Sequence, residues 1–164
     1  MTGDSGDKAG PAAPGAVTGT AAARTYLGFD YGEKFIGVAV GSTTSGRAQP
    51  LATVRVTRGG APDWDALTRL VGEWRPQALI VGLPLNMDGT PGPRTAKARK
   101  FGNRLKARYN LPVDMVDERL TTVLARNALT EARVSGRRQK PQLDRQAAAH
   151  ILQAFLNDSK EAGA

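Results

Sequence analysis

Thr25-Tyr-Leu-Gly-Phe-Asp-Tyr-Gly-Glu-Lys-Phe-Ile-Gly-Val-Ala-Val40 is the stretch that decides the fold of this chain. Two apolar runs, Thr25 to Asp30 and Phe35 to Val40, flank a short Gly-containing turn, which is the pattern of a β-hairpin. A third strand is expected over Leu51 to Val56, beyond the turn from Gly41 to Pro50. From Pro62 to Trp74 the spacing changes: Trp64, Leu67, Leu70, Val71 and Trp74 recur at helical intervals. Ala78 to Val81 is a short apolar run without alternation, as expected of a central strand covered on both faces. It opens into the turn-rich loop Gly82 to Gly89. A helix follows from Arg94 to Tyr109, with Ala98, Phe101, Leu105 and Tyr109 on one stripe, and then a strand from Pro112 to Asp117. Two more helices are predicted, one from Leu120 to Ala132 and one starting near Asp144. The second places Ala148, Ile151, Leu152 and Phe155 on one face.

Three antiparallel strands followed by alternating helices and parallel strands describe an α/β domain, a mixed five-stranded sheet with helices on both faces. That is the element order of the RNase H-like fold. The domain is expected over residues 25–157, with a Gly-, Ala- and Pro-rich tail over 1–24 read as disordered and a short tail over 158–164. The leader has neither the apolar segment of a secretory signal nor the Arg content of an organelle-import signal, and a cytoplasmic protein is expected.

Composition narrows the chemistry. The 164 residues carry 23 Lys and Arg against 15 Asp and Glu, a formal charge of +8, which favours an anionic partner such as nucleic acid. No apolar run is long enough to span a bilayer. With no Cys and one His, there is no thiolate nucleophile, disulfide framework or multi-histidine metal site. Hydrolytic chemistry must come from carboxylates, hydroxyls or Lys.

Asp30 ends the first strand, Asp117 and Glu118 end the fifth, and Asp144 opens the last predicted helix. Each has a structural reading as well: Asp30 as a turn-forming Asp, Asp117 and Glu118 as helix-start acids, and Asp144 as an N-cap. In an RNase H-like sheet these ends converge. Grouped carboxylates repel one another unless a cation neutralises them. Hard oxygen ligands of this kind select Mg²⁺ or Mn²⁺, which serve phosphodiester cleavage without His or Cys. Lys97, Lys100, Arg104 and Arg108 form a basic stripe at helical spacing, and Arg137, Arg138 and Lys140 surround a loop before Asp144. Both clusters, with Arg119, are candidate phosphate contacts. Asn86, in the loop after the buried strand, is a candidate hydrogen-bond donor to a nucleic-acid backbone. His150, Trp64 and Trp74 read as helix and core residues.

Leu27-Gly-Phe-Asp-Tyr-Gly-Glu-Lys-Phe-Ile-Gly-Val-Ala-Val-Gly41, Ile80-Val-Gly-Leu-Pro-Leu-Asn-Met-Asp-Gly89, Asp117-Glu-Arg-Leu-Thr-Thr122 and Leu143-Asp144 before an Ala-rich helix together resemble the YqgF/RuvX family, over about residues 25 to 157. The resemblance implies an RNase H-like fold related to Holliday-junction resolvases. It implies a bacterial cytoplasmic nuclease assigned to maturation of the 5′ end of 16S ribosomal RNA, with precursor rRNA or a ribosomal precursor particle as partner. It also implies that Asp30, Glu118 and Asp144 stand where the family's metal-binding catalytic carboxylates stand, with Asp117 as a reserve ligand. The chain departs from the family's pattern at Glu33 and Phe35, and Glu33 adds a carboxylate beside the first-turn site. A branched-DNA resolvase, a non-catalytic RNA-binding assembly factor and, last, an actin-like ATPase remain alternative readings. So do a monomer and a weak homodimer.

Overall fold

The computed structural model describes residues 23–121 and 140–163. Strand β1 (Thr25–Tyr31), β2 (Phe35–Ser42) and β3 (Ala48–Arg55) come first, then α1 (Trp64–Trp74), β4 (Ala78–Leu83), α2 (Pro93–Tyr109), β5 (Val113–Asp117), a 3₁₀ turn (Glu118–Thr121) and α3 (Lys140–Gly163). The five strands lie in the order β3-β2-β1-β4-β5, with β1–β2 and β2–β3 antiparallel and β1–β4 and β4–β5 parallel. The mixed sheet expected from the sequence is the one observed.

Two cores fill the two faces of this sheet. On one, Leu27, Phe29, Ile36, Val38, Leu79 and Val81 pack against Leu67 of α1 and against Phe101 and Leu105 of α2. On the other, Tyr26, Ala39, Ala78, Ile80 and Val116 pack against Ala148, Ile151, Leu152 and Leu156 of α3. Side chains alternate across a strand, so consecutive residues of β1 serve the two cores in turn. β1 and β4 are therefore apolar almost throughout, as a doubly covered strand requires.

Three element starts lie two or more residues from the sequence expectation, and other bounds move by one or two. β3 begins at Ala48, three residues before Leu51. It is an edge strand, and a register shift opposite Val38 and Ala39 accommodates Pro50, which cannot donate to the ladder. α1 begins at Trp64 because Pro62 is engaged in a bridge with Val56 and Asp63 caps the helix, accepting from the Ala66 N–H at 3.2 Å. α3 begins at Lys140 rather than near Asp144, so Asp144 lies inside the helix and is not its N-cap. Of the helix expected over 120–132, the first two residues belong to the 3₁₀ turn and the remainder lies outside the described residues. Among the described residues no helix is long and apolar enough to cross a membrane.

Candidate active site

The site is built on glycines. A Cβ at Gly28 would lie 2.8 Å from Leu152 Cβ, so that position of β1 faces α3. Asp30, two residues on, therefore faces the same side at the carboxyl end of the strand. Its antiparallel partner on β2 is Gly37. A Cβ at Gly37 would fall 1.8 Å from the Asp144 carbonyl oxygen and 2.9 Å from the Arg145 nitrogen. The backbone of α3 thus rests directly on β2 beside Asp30, an approach that any side chain at position 37 would block. Asp144, Ala148 and Leu152 follow one another at i, i+4 spacing along this seam, and the Asp144 side chain is buried, 9% exposed.

Glu118 arrives from the neighbouring strands. Phe29 of β1 pairs with Val81 of β4, and the next residues along are Asp30 and Gly82. A Cβ at Gly82 would lie 2.8 Å from Glu118 Oε2 and 2.5 Å from Ile151 Cδ1, so the Glu118 carboxyl leans over β4 beneath α3. Burial pushes its pKa above the usual 4.5; the positive charge of Arg94 opposes that shift, and the negative charge of Asp117 adds to it. Asp30, Glu118 and Asp144 thus share one face and one end of the sheet.

Asp117 does not join them. Val113 and Met115, its parity mates on β5, pack toward the α1/α2 core, and Asp117 is engaged by Arg119. Arg119 Nε lies 3.1 and 3.0 Å from the two carboxylate oxygens, and Nη2 lies 2.7 Å from Oδ2. This guanidinium holds the Asp117 carboxyl below 3.8, with burial opposing it. Arg119 also donates from Nη1 to the Met87 carbonyl at 3.2 Å. Two candidates, one for metal and one for phosphate, are therefore bonded to each other and tether the loop after β4.

Asn86 organises that same loop. Its Nδ2 donates to Thr90 Oγ1 at 2.9 Å, its backbone N–H bonds the Thr90 carbonyl, and Asp88 Oδ1 accepts from the Thr90 N–H at 3.0 Å. Gly89 takes φ +89°, the left-handed region that a tight turn needs. The turn is internally bonded, with Met87 exposed at its tip. Buried Thr95 closes its base, accepting from the Gly92 N–H at 2.8 Å and donating to the Pro84 carbonyl.

The basic stripe lies elsewhere. α2 covers the face opposite the carboxylates, so Lys97, Lys100, Arg104 and Arg108 run along the far side of the sheet from Asp144. Lys97 is paired with Glu33 at 2.6 Å, which places the extra first-turn carboxylate with α2 and not with Asp30, Glu118 and Asp144. The Arg108 guanidinium sits 4.6 Å from the centre of the Trp64 ring. Lys140 opens α3, while Arg137 and Arg138 lie outside the described residues. His150 is half-buried on α3, and Trp64 and Trp74 are half-buried at the rim of the α1/α2 core. A cation the stripe leaves out is Arg94, on the first turn of α2: it donates to the Tyr31 carbonyl at 3.2 Å and acts electrostatically on Glu118. Helical periodicity alone could not single it out, because what distinguishes it is a contact with the end of β1, distant in sequence.

Asp30, Glu118 and Asp144 offer only hard carboxylate oxygens, a donor chemistry that suits Mg²⁺ or Mn²⁺. Among the described residues no three His, Asp or Glu side chains stand close enough together to enclose an ion. The carboxylates are gathered at one end of the sheet without forming a closed cage.

A mixed sheet in this order, with acidic residues at the end of β1, after β5 and on the crossing helix, defines a protein of the RNase H-like class. The structure of T. thermophilus RuvC in complex with Holliday junction substrate shares this fold, with a TM-score of 0.51 at 15% identity, covering 84% of this chain and 96% of that one. Residues 24–158 match the RuvX family, described as Holliday junction resolvase, and the chain belongs to that family. A Pseudomonas putida relative named "Putative pre-16S rRNA nuclease" is 48% identical over 134 residues, 81% of this chain and 94% of the relative. An Escherichia coli O157:H7 relative of the same name is 47% identical over 132 residues, 80% of this chain and 95% of the relative.

Proposed function

We propose that this chain is a divalent-metal-dependent nuclease that hydrolyses phosphodiester bonds at the 5′ end of precursor 16S ribosomal RNA during ribosome biogenesis in the cytoplasm. The observation that carries this reading is the seating of α3 on Gly37, which delivers Asp144 to the register position of Asp30 while Glu118 reaches in over Gly82. The names of the relatives, each naming a pre-16S rRNA nuclease, support nuclease chemistry on that RNA.

Asp30, Glu118 and Asp144 would hold the cation, Mg²⁺ or Mn²⁺, which supplies Lewis acidity and charge neutralisation at the scissile phosphate. The chain's own residues prepare its binding. Burial destabilises the ionised form of Glu118, so the site gains most when a cation arrives to compensate that charge. Arg94, held by the Tyr31 carbonyl, supplies a fixed positive charge beside Glu118 for an incoming phosphate. Lys140, at the start of α3, and Arg137 and Arg138 before it are further phosphate contacts in this reading.

The family's description as Holliday junction resolvase favours branched DNA as the second substrate. Incubating the protein with a 5′-extended 16S precursor and a four-way DNA junction, side by side in Mg²⁺ and Mn²⁺, separates the two. Shortening of the RNA at its 5′ end with the junction intact is the expected result. Cutting of the junction alone would transfer the assignment to branched DNA, and no cutting of either would leave an assembly factor without nuclease activity.

A further inference from the structure

A cleft of about 640 Å³ opens on the side of the sheet opposite the carboxylates, between α2, the turn joining β1 to β2 and the loop from Val56 to Pro62. Its lining is strongly charged. Lys34, Arg58, Lys97, Lys100 and Arg104 contribute cations, against Glu33 as its one carboxylate. Glu33 is bound to Lys97, and among the described residues no carboxylate pairs with Lys34, Arg58, Lys100 or Arg104. Tyr31, Val56 and Phe101 make an apolar floor beneath these charges. Grouping unneutralised cations along one wall costs repulsion, and a polyanion relieves it.

The cleft continues along the helix. A second groove of about 430 Å³, lined by Trp64, Arg104, Ala107 and Arg108, shares Arg104 with the first. Lys97, Lys100, Arg104 and Arg108 therefore run through both grooves, over roughly 16 Å of helix at 1.5 Å per residue. At the far end the Arg108 guanidinium lies over the Trp64 ring, and the outer plane of that guanidinium is a surface on which a base can stack. A compact anion would need one focus of charge, whereas a track of this length suits successive phosphates.

We propose that these two grooves form one binding track for a single strand of nucleic acid, on the face of the domain opposite the carboxylates. The proposal rests on the reading of the chain as a nucleic-acid enzyme and specifies how its substrate is held: one strand lies along α2 while another reaches Asp30. The Glu33–Lys97 pair occupies the track when it is empty, and a phosphate replaces Glu33 as the partner of Lys97.

The test measures binding apart from cleavage. In the full chain carrying Asp30→Asn, with chelator present, a short fluorescent oligouridylate is titrated at several salt concentrations. Adding Lys100→Gln and Arg104→Gln together should weaken binding about tenfold and lower the slope of log K against log salt by about 1.4, at roughly 0.7 per lost phosphate contact. Glu33→Gln should tighten binding by freeing Lys97. Both positions of the double substitution are exposed, and an unchanged thermal midpoint verifies the fold. Unchanged affinity and salt slope would overturn the proposal. So would saturable ATP binding that the double substitution abolishes while oligouridylate binding stays intact, because the grooves would then be a free-nucleotide site. The metal-free readout stands whether or not the carboxylates cleave RNA, so failure of the track and failure of the nuclease assignment give different results.

Discussion

Gly37→Ala is the sharpest probe of how the site is assembled. The added methyl would lie 1.8 Å from the Asp144 carbonyl oxygen and 2.2 Å from its carbon, where real Cβ contacts stay beyond 3.0 Å. α3 must therefore lift by about 1 Å, and the obstructing atoms are backbone, which cannot rotate away as a side-chain tip can. Overpacking costs about 1–3 kcal/mol, and a backbone clash belongs at the upper end of that range. About 3 kcal/mol lowers the thermal midpoint of a domain this size by roughly 10 °C and leaves it folded, since domains of this kind have about 5–15 kcal/mol to lose. The lift moves Asp144 away from Asp30, and a displacement of about 1 Å at reacting groups costs on the order of 100-fold in rate. Circular dichroism melting and precursor-RNA cleavage read the two effects separately. A Gly37→Ala protein with an unchanged midpoint and unchanged activity would refute the claim that the helix is seated on this glycine. Gly72→Ala is the companion: nothing lies within 4 Å of a Cβ there, and in the exposed interior of α1 it should stabilise by about 0.5–1 kcal/mol.

Glu118→Gln should raise stability at neutral pH by about 0.5–2 kcal/mol while removing activity, the usual trade at a buried functional charge. Because the folded-state pKa of Glu118 is raised by burial, the folded state binds its proton more tightly. That stability is present at low pH and lost as pH rises above 4.5 through the raised value, so the native-minus-variant difference in urea midpoint should vanish toward acid. Asp117 has the opposite sign: Arg119 holds its pKa below 3.8, so its contribution persists at neutral pH and is lost only as pH falls through that lower value. Arg119→Ala should remove this acid dependence and speed amide exchange at Gly89 and Thr90, and undiminished protection there would show that the turn after β4 does not depend on the tether. Thr95→Val keeps the shape but strands the Gly92 N–H at the base of α2. It should cost about 1–3 kcal/mol in a denaturant titration, with Thr95→Ser restoring most of it.

The sheet was legible because its apolar runs are short, bounded by turns and differently patterned. Alternation is lost in Ala78 to Val81 because both faces are covered, and the hairpin announces itself around Gly32. Two starts moved because of strand pairing: the Val56–Pro62 bridge trimmed α1, and the edge position of β3 allowed it to run through Pro50. Asp30, Glu118 and Asp144 could be picked out as element ends, but what gathers them could not. That information sits in Gly28, Gly37 and Gly82, whose role is to admit other residues, and a strand glycine read alone signals only a weak spot. Asp117 and Glu118 are adjacent in sequence but part company in the fold: Asp117 ends β5 and is engaged by Arg119, while Glu118 opens the 3₁₀ turn and leans over Gly82. Sequence spacing also gives no sign that Arg119 engages Asp117, or that α2 covers the face opposite Asp144.

The most direct test of the central claim is cleavage of the 5′-extended 16S precursor by the native protein and by Asp30→Asn, with Mg²⁺ or Mn²⁺ and with chelator. Metal-dependent cutting by the native chain that disappears in Asp30→Asn, with matching circular dichroism spectra, is the result this account predicts. Equal cutting by both, in preparations free of contaminating nuclease, would contradict it.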